Sequence, residues 1–319
     1  MKKIIAILLM IFTCAVPLTV CAEEEEGPSI YDIAGGDVFT HEGTTLPYRN
    51  ILPEDYTPEK EYPLLVFLHA EKEIGTDNKS QLRHCVNYIM EKLPQTIIIA
   101  PQCSPGNQWV DVPLNGGNYF VSKVPESNEL QAVMALISKV QTDFSIDADR
   151  VSAVGVSMGG YGVWDLLTRH NDFFASGVIM CGGGDPTQAE ILKNTPIYIF
   201  HGAEDEVVSV NAAQEMMQSI LDVGGTKARF FKIEESTHDI CYELYFGSGV
   251  IETLSKDRIS EKEETLEEKE DEKSSTEMKV VTDAGVQEEP SKILFIVCIG
   301  IPFIIVVALV VVVLKKVKF

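Results

Sequence analysis

Apolar and polar positions alternate along the middle of the chain in two rhythms. Short runs rich in β-branched residues recur at YPLLVFLH (62–69), TIIIAPQ (96–102), RVSAVGV (150–156), ASGVIMC (175–181), TPIYIFHG (195–202) and ARFFKI (228–233). Runs of this length, bounded by turn residues, predict strands buried on both faces. Between them KSQLRHCVNYIMEK (79–92), NELQAVMALISKVQTDF (128–144), MGGYGVWDLLTRH (158–170) and VNAAQEMMQSILDVGG (210–225) space their apolar residues as amphipathic helices do. Such alternation implies an α/β fold, a mostly parallel sheet with right-handed crossovers and helices on both faces. The segment TTLPYRNILP adds an antiparallel ribbon at one edge. No internal repeat is visible.

The ends of the 319-residue chain follow other rules. Residues 1–22 open on two lysines, run apolar and close on Val20-Cys21-Ala22 before four glutamates, the form of a secretory signal. Cys21 raises the alternative of lipoprotein processing, which Val20 disfavours; an uncleaved anchor is the other alternative. Ile293 to Leu314 is an apolar run without charge, followed by Lys315, Lys316 and Lys318. It is long enough to span a bilayer, and the lysines place residues 315–319 on the cytoplasmic side. The expected plan is a signal (1–22), a folded domain (31–250), an acidic disordered stalk (251–291), a transmembrane helix (292–314) and a cytoplasmic tail. This would be a single-pass cell-membrane protein with its domain outside. The stalk has no aromatic residue and too little apolar surface to offset the entropy of ordering. It contributes much of the formal net charge of −22, which argues against nucleic acid as a partner. Cys85, Cys103, Cys181 and Cys241 show no metal-ligand spacing and read as packed thiols, with one bridge left open.

Chemistry enters at Gly155-Val156-Ser157-Met158-Gly159. A serine between glycines, directly after a strand and before a helix, is a nucleophile elbow: a sharp turn that leaves the hydroxyl exposed above the sheet. The hydroxyl needs a base and the base an orienting acid, expected in the order Ser, Asp or Glu, His. Downstream, His238 in ESTHDI fits the base, while His201 at a strand end reads as a packing or turn residue. Asp205 in HGAEDEVVSV is the chosen acid, with Glu204 and Asp239 as fallbacks. Two backbone N–H groups are needed for the oxyanion: Met158, and one from LHAEKEIGTDN, with Ala70 first and Glu71 next. Trp109, in the loop SPGNQWVDV, is the candidate substrate-binding aromatic; Tyr161 is a second, and Trp164 reads as core.

These residues resemble the α/β-hydrolases of the esterase and prolyl-oligopeptidase-like kind, the bacterial predicted peptidases or carboxylesterases related to feruloyl-esterase and polyhydroxybutyrate-depolymerase domains. The resemblance spans about residues 40–246 and is carried by LPYRNILPEDYTPEKEYPLLVFLH, GTDN, APQC, QWVDV, VPESNEL, DRVSAVGVSMGGYGVWDLLTRHNDFFA, CGGGDP and IYIFHGAEDEVVSV. It implies an α/β-hydrolase fold with Ser157 as nucleophile, Asp205 as acid and His238 as base, with no cofactor and no metal. One departure stands out: the family's glycine-rich HGAGERG is here His69-Ala70-Glu71-Lys72-Glu73-Ile74-Gly75. The function expected is therefore a membrane-anchored serine hydrolase acting on a small or polymer-derived ester. The alternatives are a serine peptidase on short peptides and a surface binding protein that has lost catalysis through the altered loop.

Overall fold

The apolar runs become strands where buried side chains on both faces repay the ordering of the backbone. The computed structural model describes residues 30–241 and 249–262. A short helix α1 (Ile30–Ile33) leads into the hairpin β1 (Gly35–His41) and β2 (Thr44–Ile51). The core follows as β3 (Tyr62–Leu68), α2 (Val86–Lys92), β4 (Ile97–Pro101), α3 (Asn128–Asp143), β5 (Ile146–Val156), α4 (Met158–Arg169) and β6 (Ser176–Met180). It is completed by α5 (Ala189–Leu192), β7 (Ile197–Gly202), α6 (Val210–Asp222), β8 (Ala228–Ile233) and α7 (Val250–Leu254).

The eight strands form one sheet in the order β1-β2-β4-β3-β5-β6-β7-β8. β1 and β2 run antiparallel at the edge, β2 meets β4 antiparallel, and β4 through β8 are parallel. Every residue of β3 and β4 is buried, as central parallel strands covered on both sides require. Leu64, Val66 and Leu68 face a core shared with α3, α4, α5 and α6. Leu65 and Phe67 face a second core with Ile30, α2 and α7. Burying each such side chain contributes about 2 kcal/mol.

Topology fixes where a site can form. After β3 the chain crosses to β4 on one side, and after β5 it crosses to β6 on the other, so β3 and β5 are neighbours whose loops diverge. The crevice above such a switch point is the binding position of open α/β sheets. The loop after β3 begins at His69 and the turn after β5 is Ser157.

Three elements differ from expectation. Residues 79–92 do not make one helix: Ser80–Leu82 is a 3-10 turn and α2 starts at Val86. The Asp77 carboxylate accepts from the Lys79 and Ser80 N–H groups (3.0 Å each) and Cys85 sits at φ 69°, which together end one turn and start another. β5 begins at Ile146, ahead of the run expected from Arg150. Residues 251–262, which composition assigns to the stalk, pack on the domain. Ile251 and Leu254 are buried, Arg258 pairs with Asp149 (3.1 Å), and Lys262 Nζ donates to the Asn171 carbonyl (2.7 Å). Charge there is spent on the domain, and α7 buries the few apolar residues the segment has.

Among the described residues no helix is long and apolar enough to cross a membrane. The leader 1–22, residues 263–291 of the stalk, the run 292–314 and the tail 315–319 lie outside the described residues.

Candidate active site

Gly155 and Gly159 make the elbow after β5. A Cβ on Gly155 would stand 2.1 Å from the Gly159 carbonyl oxygen, and one on Gly159 would stand 1.9 Å from that of Leu68. Ser157 itself sits at φ 52°, ψ −112°, a conformation unfavourable for a residue with a Cβ. Its N–H donates to the Met180 carbonyl (2.7 Å), which fastens the turn to β6.

The elbow, the loop after β7 and the turn after β8 bring the three expected residues together. Ser157 Oγ lies 2.8 Å from His238 Nε2, and His238 Nδ1 lies 2.7 Å from Asp205 Oδ2. A ring protonated on Nδ1 donates to the carboxylate and leaves Nε2 to accept from the serine hydroxyl. Asp205 Oδ1 accepts from the Val207 (2.9 Å) and Val208 (2.8 Å) N–H groups. Burial opposes the charge on Asp205, but the bonds from His201, His238 and Val208 hold it well below the usual carboxylate range. Burial likewise opposes charge on His238, yet the bond to Asp205, the contact with Cys181 and the carboxylate's charge push it up to about 9.

Two further residues support this group. His201 Nε2 donates to the Val208 carbonyl (2.9 Å) and lies 3.2 Å from Asp205 Oδ2. It therefore braces the acid loop as well as filling the strand end. Cys181 follows β6 at φ 52°, and its sulfur, an Asp205 oxygen and a His238 nitrogen lie within 4.8 Å of one another. Its spacing marks it only as a packed thiol; its place just past a strand end is the signal for a role at the site. These three residues could offer a metal one thiol, one carboxylate and one imidazole, although Asp205 and His238 already bond each other. Glu204 and Asp239 are exposed rim residues and take no part in the chain of bonds.

In the loop after β3 the two candidate donors, Ala70 and Glu71, sit differently. Ala70 is 1% exposed and borders a small cavity lined also by His69, Glu73 and His84, whereas Glu71 borders the cleft that holds Ser157 and His238. The Ala70 carbonyl accepts from His69 Nδ1 (2.6 Å) and the Glu73 N–H (3.2 Å). A trans peptide points its C=O and N–H in opposite directions, so the Glu71 N–H is turned away from these bonds. Glu71 opens the 3-10 turn Glu71–Glu73 as Met158 opens α4, and the N–H groups of a first turn have no partner within their own helix. The His69 ring is fixed by the Cys103 N–H, which donates to Nε2 (2.9 Å); burial pushes its pKa down to about 4, so it stays neutral.

Trp109 does not line the cleft. It is fully buried, packs edge-on against His69 and donates from Nε1 to the His69 carbonyl (3.0 Å). Tyr161 is also fully buried; its hydroxyl lies 2.9 Å from the Leu114 and Gly117 carbonyls and holds the loop that brings Leu114 to the cleft. Trp164 lies in the core, as expected. Glu73, the third charge of the altered loop, faces inward beside His84 (3.6 Å), and burial pushes it up to about 7.

A switch-point serine elbow on a parallel sheet, with an aspartate after β7 and a histidine after β8, defines the α/β-hydrolase class. A family profile described as "Putative esterase" matches residues 42–294, and the chain belongs to that esterase family. A thermostable esterase of known structure is 31% identical over 72% of this chain, with a TM-score of 0.64; the chain spans 64% of that protein's length. A ferulic acid esterase from Anaeromyces mucronatus (14% identity, TM-score 0.51, 72% of this chain and 91% of that one) shares the fold. So does an acylaminoacyl peptidase from Pyrococcus horikoshii (15%, 0.52, 69% and 39%). No curated protein matches the chain.

Proposed function

We propose that the protein is a serine hydrolase that cleaves carboxylic esters through an acyl-enzyme. The observation that carries this reading is the unbroken chain of bonds from Ser157 Oγ through His238 to Asp205. His238 Nε2 takes the serine proton as Oγ attacks the carbonyl carbon, and Asp205 stabilises the imidazolium. The tetrahedral oxyanion is held by the N–H groups of Met158 and Glu71, first residues of their helices, where partial positive charge gathers. His238 then gives the proton to the departing alkoxide. Water, deprotonated by the same ring, releases the carboxylic acid and restores Ser157. The esterase family favours an ester over a peptide; the peptidase likeness is one of fold. The leader pattern of residues 1–22 and the apolar run at 293–314 support export and a single-pass anchor for the domain.

A fluorophosphonate probe tests the nucleophile. Wild type is expected to label, and Ser157→Ala not to, with kcat on a short-chain ester down ~10³-fold or more. Equal labelling of both would remove Ser157 from the reaction. Short acyl and feruloyl esters assayed beside matched dipeptides then test the choice of ester.

A further inference from the structure

The cleft above Ser157 carries an uneven set of charges, each tied by the backbone to a residue of the site. Glu71 is the residue whose N–H is assigned to the oxyanion; Glu204 and Glu206 flank Asp205; Asp239 follows His238. All four border the same space of about 520 Å³ as Ser157 and His238. Adjacent Cα atoms are about 3.8 Å apart, so these carboxylates stay near the reacting atoms. All four are exposed, and none has an ion-pair partner among the described residues. Among the described residues, Lys72 is the one lysine or arginine on that lining, and His238 is bonded to the Asp205 carboxylate. The reacting carbonyl therefore sits in a negative field that water weakens and does not cancel.

Resting on the serine hydrolase reading above, we infer that this cleft selects acyl substrates carrying a positive charge near the scissile carbonyl over anionic ones of the same shape. The carboxylates attract an ammonium group and repel a carboxylate. Hydrolysis adds water across the acyl bond, yielding a carboxylate with an alcohol and a proton from an ester, or with an ammonium from a peptide; the field also drives the new carboxylate out. Two molecules can bring the charge: an aminoacyl ester, or a peptide with a free amino terminus.

The test uses the full-length protein and three 4-nitrophenyl esters of one chain length: pentanoyl, 5-(trimethylammonio)pentanoyl and glutaryl. At about 20 mM salt, kcat/KM for the cationic ester is expected to exceed that for the anionic one roughly tenfold, the ratio shrinking to about twofold near 0.5 M. Replacing both Glu204→Gln and Glu206→Gln is expected to cut the ratio about threefold. Because a ratio is read, loss of folded protein cancels, and the salt series needs no variant. Alanine methyl ester and dialanine, each against its N-acetyl form, identify the source of the charge: faster cleavage of either free amine supports the inference. A flat or anion-favouring ratio with Ser157 still labelled by fluorophosphonate overturns the inference alone. Absence of both labelling and turnover overturns the hydrolase reading with it.

Discussion

The elbow at Ser157 and the turn at Glu71 each open a helical turn beside the same cleft, and they are built by different means. The elbow depends on what is missing: Gly155 and Gly159 leave room that no Cβ could occupy, and Ser157 is held at φ 52°. The turn after β3 depends on what is bonded. Its Ala70 is extended at φ −79°, which any residue adopts, and the peptide is aimed by His69 and Glu73, with Trp109 holding the preceding carbonyl. Lost glycines at 70 and 72 therefore leave the turn in place, because buried partners do the aiming.

Breaking the elbow should cost most. Gly159→Ala puts a methyl 1.9 Å from the Leu68 carbonyl oxygen, immobile backbone that leads into the other turn. A destabilisation of about 3 kcal/mol or more is expected in urea unfolding. A variant as stable as wild type would show that the two backbones are not in contact. The turn should break through its bonds instead. His69→Gln loses the paired grip on Ala70 and Cys103 and is expected to lower kcat ~10- to 100-fold with little change in KM. Ala70→Gly, which restores the family's residue, should stay within about threefold of wild type. If the two variants exchanged these effects, glycine would be the determinant after all.

The strand-by-strand reading of the sequence succeeded where one local pattern carries the information. Apolar runs located the sheet, and the glycines, the serine and the order of acid and histidine located the three bonded residues. It failed where a role depends on contacts distant in sequence. Trp109 reads as a loop aromatic for substrate binding, yet it is buried on His69, 40 positions earlier. Nothing near Ala70 in the sequence reveals that its carbonyl accepts from His69 and Glu73. Residues 251–262 read as stalk because the segment is charged and poor in apolar residues, while the partners that fix Arg258 and Lys262 lie 109 and 91 positions away.

Smaller effects sharpen the contrast through pH. His238 must be neutral to accept the serine proton, so activity should fall as pH drops through its pKa. The acid limb of kcat/KM is expected above 6.5 and near 9, and Asp205→Asn should bring it down by about one to two units, with a large loss in rate. A limb left in place by that variant would dissociate Asp205 from the ring. Glu73 works in the other direction. Its folded pKa is raised from 4.5 to about 7, so its contribution is complete below 4.5 and stability is lost as pH rises through 7. Glu73→Gln should therefore gain ~2 kcal/mol relative to wild type at pH 8 and little at pH 5. Equal shifts at both values would mean that the carboxyl is not the cause.

The packing of α7 and residues up to Lys262 also decides where two of the domain's cations are kept. Lys262 rests against Asn171, beyond the far end of α4, and Arg258 against Asp149, near the start of β5, while Ser157 stands at the other end of that strand, roughly 26 Å away. Both positive charges are thereby held out of reach of the carboxylates around the reacting serine.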